Sequence, residues 1–135
     1  MEMLLNIDVD DLEKAVAFYR DALGLQAGRR LFDGSVVEMA GASSKIHLLA
    51  KAPGSSASSQ AIYRSYARHW TPVHLDFVVD EVESAVNRAV AAGAMLEGEI
   101  QNFNCWNSSA RVTMRLHEHR NDLEPEERVL LLNRS

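Results

Sequence analysis

The sequence repeats one pattern of a strand, acidic residues and a helix at a distance of seventy residues. Residues 6–16 read Asn-Ile-Asp-Val-Asp-Asp-Leu-Glu-Lys-Ala-Val, and residues 76–86 read Asp-Phe-Val-Val-Asp-Glu-Val-Glu-Ser-Ala-Val. Each copy is followed by a glycine suited to end a helix, Gly24 or Gly93. A strand–helix unit that occurs twice in a short chain indicates two similar halves around one shared surface. We therefore expect function on the surface that the halves share.

Length, charge and cysteine content exclude several classes of protein. The 135 residues suffice for one domain, and 47% hydrophobic with 24% charged residues is typical of a globular protein. A net charge of −5 without a basic run argues against binding to nucleic acid or to anionic membranes. The sequence has no apolar stretch long enough to span a membrane. Because Cys105 has no disulfide partner and no signal peptide is evident, we expect a cytoplasmic protein.

The first half predicts the element order βαβββ. Residues 3–9 alternate as a half-buried strand does, which places Asn6 and Asp8 on the face opposite Ile7. Asp10 and Glu13 have capping-box spacing and predict the start of a helix. Three further strands are predicted near residues 25–32, 35–40 and 44–50, with an Asp-Gly turn after the first of them.

The second half predicts the same order after a connecting segment. Residues 51–60 contain Pro-Gly-Ser-Ser-Ala-Ser-Ser and are predicted to be flexible, within a linker that spans about residues 51–70. A strand over residues 72–79, a helix to residue 92 and strands near residues 95–101, 110–116 and 128–132 follow. Residues 1–135 are therefore predicted to be one domain, with module one over about 1–50 and module two over about 71–135.

Two stretches resemble a known superfamily. Residues 9–25 read Val-Asp-Asp-Leu-Glu-Lys-Ala-Val-Ala-Phe-Tyr-Arg-Asp-Ala-Leu-Gly-Leu, and residues 74–82 read His-Leu-Asp-Phe-Val-Val-Asp-Glu-Val. Both resemble the vicinal oxygen chelate superfamily, which includes glyoxalases, extradiol dioxygenases and the fosfomycin- and bleomycin-resistance proteins. The resemblance implies an α+β fold in which two βαβββ modules form one curved mixed sheet, a cup or half-barrel around a ligand or metal. It also implies a homodimer, since many members are dimers.

The resemblance further indicates where a metal ion would bind. Metal-dependent members use four ligands on four strands, usually His or Gln, then Glu, His and Glu. The matching positions in this sequence are Leu4, His47, His74 and Leu131. Because a catalytic metal needs at least three protein ligands and leucine supplies none, we predict no metal cofactor. The alternative is a divalent metal ion on His47 and His74, which a carboxylate from Asp8, Glu38 or Asp76 would have to complete.

The residues predicted to contact a ligand are polar groups on the cup-facing strands and two tryptophans. They are Asn6, Asp8, His47, Trp70, His74, Asp76 and Trp106. The tryptophans would stack a flat organic molecule, and the two aspartates would favour a cationic one. The preferred function is metal-independent binding of a small organic molecule, as in the bleomycin-resistance members.

Two alternatives stay open. One is a lyase, isomerase or dioxygenase that uses a metal ion or acid–base chemistry on the two histidines. The other is a module whose role is association with another protein.

Overall fold

The chain divides into two compact units, Met1–Tyr66 and Ala67–Ser135. The computed structural model describes residues 3–67, residue 73, residues 75–96 and the backbone of two strands, Arg111–Arg115 and Leu130–Leu132. Each unit contains a strand, a helix and three more strands in this order. The predicted α+β class and the repeated order of elements are confirmed. No helix in the described part of the chain is long and apolar enough to cross a membrane.

The first unit is a four-stranded mixed sheet with one helix. Its elements are β1 (Leu5–Val9), α1 (Leu12–Leu23), β2 (Gln26–Leu31), β3 (Val36–Ala40) and β4 (Ile46–Ala50). The strand order is β1-β4-β3-β2, in which β1 is parallel to β4 and the other neighbours are antiparallel. The predicted strands of this half are confirmed, and their ends differ from the prediction by at most two residues.

The core of this unit lies between α1 and one face of the sheet. The side chains that are almost completely buried are Val9, Val37, Met39, Ile46 and Leu48. They meet the buried stripe of α1, which is Ala15, Val16, Tyr19 and Ala22. Since successive residues of a strand point to opposite faces, the residues between these apolar positions lie on the other side of the sheet.

The helix α1 begins one residue later than the sequence predicts. Asp11 is its N-cap, and its carboxylate accepts a hydrogen bond from the Lys14 backbone N–H at 3.0 Å. Asp10 therefore does not cap the helix as predicted. Gly24 ends the helix as predicted, in a left-handed conformation with φ of 71°, and its N–H donates to the Arg20 carbonyl at 2.9 Å.

The segment predicted to be a flexible linker is a hydrogen-bonded hairpin over residues 54–64. Its backbone pairs Gly54 with Arg64 at 2.9 Å and Ala57 with Ile62 at 2.7 Å, and Ser56 bridges Tyr63. Small residues are typical of flexible segments, but glycine and serine also provide the conformations and local hydrogen bonds that turns require. We call residues 54–64 the hairpin.

The second unit repeats the order of elements but not the order of strands. Its elements are β5 (Leu75–Val78), α2 (Val82–Ala91), β6 (Met95–Leu96), β7 (Arg111–Arg115) and β8 (Leu130–Leu132). The strand order is β5-β7-β8-β6, with β6 parallel to β8. In the first unit the first and last strands are neighbours, whereas here β7 separates them. The two sheets therefore differ in topology although residues 6–16 and 76–86 share one sequence pattern.

Candidate functional site

A row of polar residues crosses the face of the first sheet that α1 does not cover. The backbone register pairs Asn6 of β1 with His47 of β4, and His47 with Glu38 of β3. Because these strands are neighbours, the three side chains form one continuous row. Asp8 lies two residues beyond Asn6 on the same face. We call Asn6, Asp8, Glu38 and His47 the polar face.

Glu38 is a buried carboxylate held by two cations. One of its oxygens, Oε2, accepts hydrogen bonds from Arg29 Nη2 at 2.9 Å and from Lys45 Nζ at 3.1 Å. The hydrogen bond from Arg29, followed by that from Lys45, lowers the pKa of Glu38 to about 2. Glu38 is therefore ionised at neutral pH, and its charge is already compensated by protein groups.

Gly28 leaves the space that Glu38 occupies. The register of β2 against β3 shifts between Ala27 and Arg30, so that β2 carries an irregularity at this point. A Cβ atom at Gly28 would lie 3.3 Å from both the carbonyl oxygen and Oε1 of Glu38. A larger residue would thus crowd the carboxylate, which explains a glycine in the middle of a strand.

His47 lies between the Asn6 amide and this charged group. Its side chain is 12% exposed, and Nε2 is 3.6 Å from Glu38 Oε2, which is longer than a hydrogen bond. Within the described residues, neither the His47 ring nor the exposed Asn6 amide makes a hydrogen bond to a side chain or backbone group. Both groups are available to a bound molecule.

Asp8 is neutralised by a residue of the hairpin. Arg64 Nε donates to Asp8 Oδ2 at 2.7 Å, and the Arg64 side chain is only 18% exposed. Arg64 Nη1 also donates to the Ser56 carbonyl, which fixes the guanidinium within the hairpin. The sequence suggested that Asp8 would favour a cationic ligand, but its carboxylate is already paired, so Asp8 gives this expectation no support.

The remaining predicted site residues lie in the second unit or outside the described residues. Asp76 lies in β5 of the second unit and is exposed. Trp70, His74 and Trp106 lie outside the described residues. Of the predicted set, the structure therefore brings together Asn6, Asp8 and His47.

Of the two metal-ligand positions predicted in the first sheet, Leu4 and His47, only His47 carries a donor atom. The Glu38 carboxylate lies beside His47, but it already forms ion pairs with two cations. Among the residues for which side chains are described, no three His, Cys, Asp or Glu residues group closely enough to hold a metal ion.

Three cations of the site were missed in the sequence. Lys45 could have been found, because it is two residues before His47 and alternation places both on one face. Arg29 faces Glu38 across the β2–β3 hairpin, but the register shift obscures this pairing. Arg64 gives no signal in the sequence, since 56 positions separate it from Asp8.

Comparison with known proteins agrees with the fold described above. A family model for the glyoxalase-like domain matches residues 5–118. The chain belongs to this glyoxalase-like family, and the vicinal oxygen chelate resemblance is confirmed. Among curated proteins, none gives a significant sequence match.

Solved structures with TM-scores above 0.5 show the same fold at low sequence identity. A hypothetical protein from S. aureus is 20% identical, with a TM-score of 0.52 over 88% of each chain. An integron cassette protein from the mobile metagenome of V. cholerae is 14% identical, with a TM-score of 0.51 over 84% of each chain. A lactoylglutathione lyase from Agrobacterium tumefaciens is 21% identical over 84% of this chain and 83% of that chain, with a TM-score of 0.44. Identities this low concern the fold and carry no activity over to this chain.

Proposed function

We propose that this protein binds a small organic molecule on the polar face of its first sheet, without a metal ion held by the protein. The observation that carries the proposal is the hydrogen bonding of the His47 ring. Its side chain is only 12% exposed, and its nitrogens have no hydrogen-bond partner among the described residues. An imidazole that faces the open side of the sheet and is not engaged by the protein can orient a bound molecule.

Apolar residues beside the polar row support binding. Val36 and Leu49 are paired in register on neighbouring strands, next to the row that contains Glu38 and His47. Val36 is buried and Leu49 is half-buried. Small-molecule sites combine apolar surface, which supplies most of the affinity, with a few polar groups that orient the ligand. His47 and the Asn6 amide would be the orienting groups.

The charge around Glu38 supports binding without a metal. A divalent ion bound by His47 and the neighbouring Glu38 carboxylate would have to displace the hydrogen bonds from Arg29 and Lys45. The enzymatic alternative, acid–base chemistry on His47, would require a partner that orients the ring. Glu38 Oε2 lies 3.6 Å from His47 Nε2 and already accepts hydrogen bonds from Arg29 and Lys45, which favours binding over catalysis.

The proposal is tested by screening small organic molecules for thermal stabilisation of the purified protein. A ligand present at about one hundred times its Kd should add about 2.7 kcal/mol to the free energy of unfolding. We expect Asn6→Ala and His47→Ala each to weaken binding about fivefold, because each removes a hydrogen-bonding group worth about 1 kcal/mol from the site. Asn87→Ala, at an exposed position of α2, is the matched control and should bind as the wild type does.

Elemental analysis of the same preparations tests the absence of a bound metal. We expect no stoichiometric metal in the wild type or in the variants. About one metal ion per chain, lost in His47→Ala, would contradict the metal-independent proposal. Ligands that bind equally well to the wild type and to His47→Ala would show that the polar face is not the site.

A further inference from the structure

We infer that the molecule bound on the polar face is a small organic acid, and that its carboxylate binds at Arg29 and Lys45 beside His47. This inference rests on the proposed function and names the class of ligand. Nothing in the likeness to the glyoxalase-like family specifies these two cations. The inference rests on the positions of these two cations around Glu38.

The group formed by Arg29, Glu38 and Lys45 carries a surplus positive charge. Both cations contact the same oxygen, Glu38 Oε2, at 2.9 Å and 3.1 Å. One ionised carboxylate compensates one of the two cations, and the other charge is left over. The surplus is local, because the chain as a whole has a net charge of −5. An anion near this group would therefore be attracted against the overall charge of the protein.

Both cations keep hydrogen-bond donors that a ligand can reach. The Lys45 ammonium has three N–H donors, of which one goes to Glu38. The Lys45 side chain is 48% exposed and that of Arg29 is 68% exposed. Charge-assisted hydrogen bonds to a carboxylate are about twice as strong as neutral ones. The exposed donors are thus suited to an acidic group.

The distances place the acidic group and the rest of the ligand within one small molecule. Lys45 Nζ and His47 Nε2 lie 3.1 Å and 3.6 Å from the same Glu38 oxygen. A ligand that gives its carboxylate to Lys45 can therefore also reach the His47 ring. The carboxylates of the polar face are both compensated, Glu38 by two cations and Asp8 by Arg64. This face consequently offers no free negative charge that would select a cation.

The test compares acids with neutral molecules of the same shape. Binding of benzoate and benzamide, and of pyruvate and pyruvamide, would be measured by isothermal titration calorimetry. We expect each acid to bind the wild type at least about tenfold more tightly than its amide, which is the range of a charge-assisted hydrogen bond. The preference should shrink at high salt, because part of it is a screened charge interaction.

Adjacent arginines provide a matched pair of variants. Arg29→Met and Lys45→Met should each weaken binding of the acids about tenfold or more and leave the amides within about twofold. Arg30→Met is the control, because the Arg30 guanidinium pairs with Glu13 of α1 at 2.7 Å and not with Glu38.

Glu38→Gln should bind the acids more tightly than the wild type, since it removes the compensating negative charge. General damage to the fold would not strengthen binding. Circular dichroism confirms folding, and Lys45→Gln replaces Lys45→Met if the latter does not fold.

The outcomes separate this inference from the proposed function. Amides that bind the wild type as tightly as the acids, with a loss in His47→Ala, would overturn the carboxylate site and leave the proposed function standing. Equal effects of Arg29→Met and Arg30→Met would overturn it as well. If neither acids nor amides bind, the carboxylate site is overturned, and the proposed function is decided by the thermal screen alone.

Discussion

Glu38 shows how a single residue can be both buried and charged. Its residue exposure is 6%, and an ionised carboxylate at such a position is costly unless it is hydrogen-bonded. Arg29 and Lys45 supply those hydrogen bonds, and Gly28 supplies the space. The pKa of this carboxyl falls from its ordinary 4.5 to about 2, so the folded state favours the ionised form.

This pKa shift makes the stability of the fold depend on acid pH. A carboxyl whose pKa is lower in the folded state contributes stability fully above its unfolded pKa, and that contribution is lost as the pH falls. For Glu38 the loss occurs between pH 4.5 and about 2. We expect the free energy of unfolding to fall more steeply with acid in the wild type than in Glu38→Gln, as measured by urea unfolding across this range.

Glu13→Gln is the control for this experiment. The pKa of Glu13 is also lowered, chiefly by its hydrogen bond from Arg30, but its side chain is 70% exposed. Solvent and salt screen such an exposed pair, so this substitution should change the pH dependence less. Equal slopes for the wild type and Glu38→Gln would show that the ion pairs of Glu38 do not stabilise the fold.

At the scale of elements, the helices and strands follow from local patterns. Alternation located the strands, and the amphipathic stripe with Gly24 located α1. The N-cap was displaced by one residue, because Asp10 and Asp11 are both acceptable caps and the sequence does not choose between them. Where the chain passes from β1 into α1, Asp11 is the residue that adopts the extended conformation of an N-cap.

The position of the cap leads to a prediction for neighbouring residues. Asp11→Ala should lower the free energy of unfolding by about 1 kcal/mol, because it leaves the Lys14 N–H without its acceptor. Asp10→Ala should cost only a few tenths of a kcal/mol, through the helix dipole. Chemical denaturation of both variants measures the difference. A larger loss in Asp10→Ala would place the cap where the sequence suggested it.

At the scale of the whole molecule, the first sheet leaves surface that a second copy would cover. The strand order places β2 at an edge, and five of its six residues are exposed. Apolar side chains at Leu4, Phe32 and Ile62 are each more than half exposed. Open edges and apolar surface favour association, and identical chains most often pair with twofold symmetry.

We therefore expect a homodimer, as the family resemblance also implies. Light scattering coupled to size exclusion should give twice the chain mass of 15.0 kDa at micromolar concentration. Asp21→Asn, at an exposed position of α1, is a control that should leave the mass unchanged. A mass of one chain at that concentration would contradict the expectation.

The sequence by itself determined the elements of this protein and its glyoxalase-like family. Periodicity, caps and the repeat act over a few residues, so each half could be interpreted without knowing its neighbours. The predicted presence of Asn6, Asp8 and His47 on one face follows from the same alternation and agrees with the structure of the first sheet.

The tertiary structure alone decided the charge of the site. Arg64 reaches Asp8 across 56 positions because the hairpin folds back onto the sheet, and the β2 irregularity brings Arg29 to Glu38. The order of strands in the second sheet likewise differs from the first, although both units begin with the same strand–helix pattern. Pairings between distant segments depend on the path of the whole chain, and local patterns carry no information about that path. The sequence indicates an acidic face. In the structure the carboxylates of this face are paired, and one cation is left in surplus.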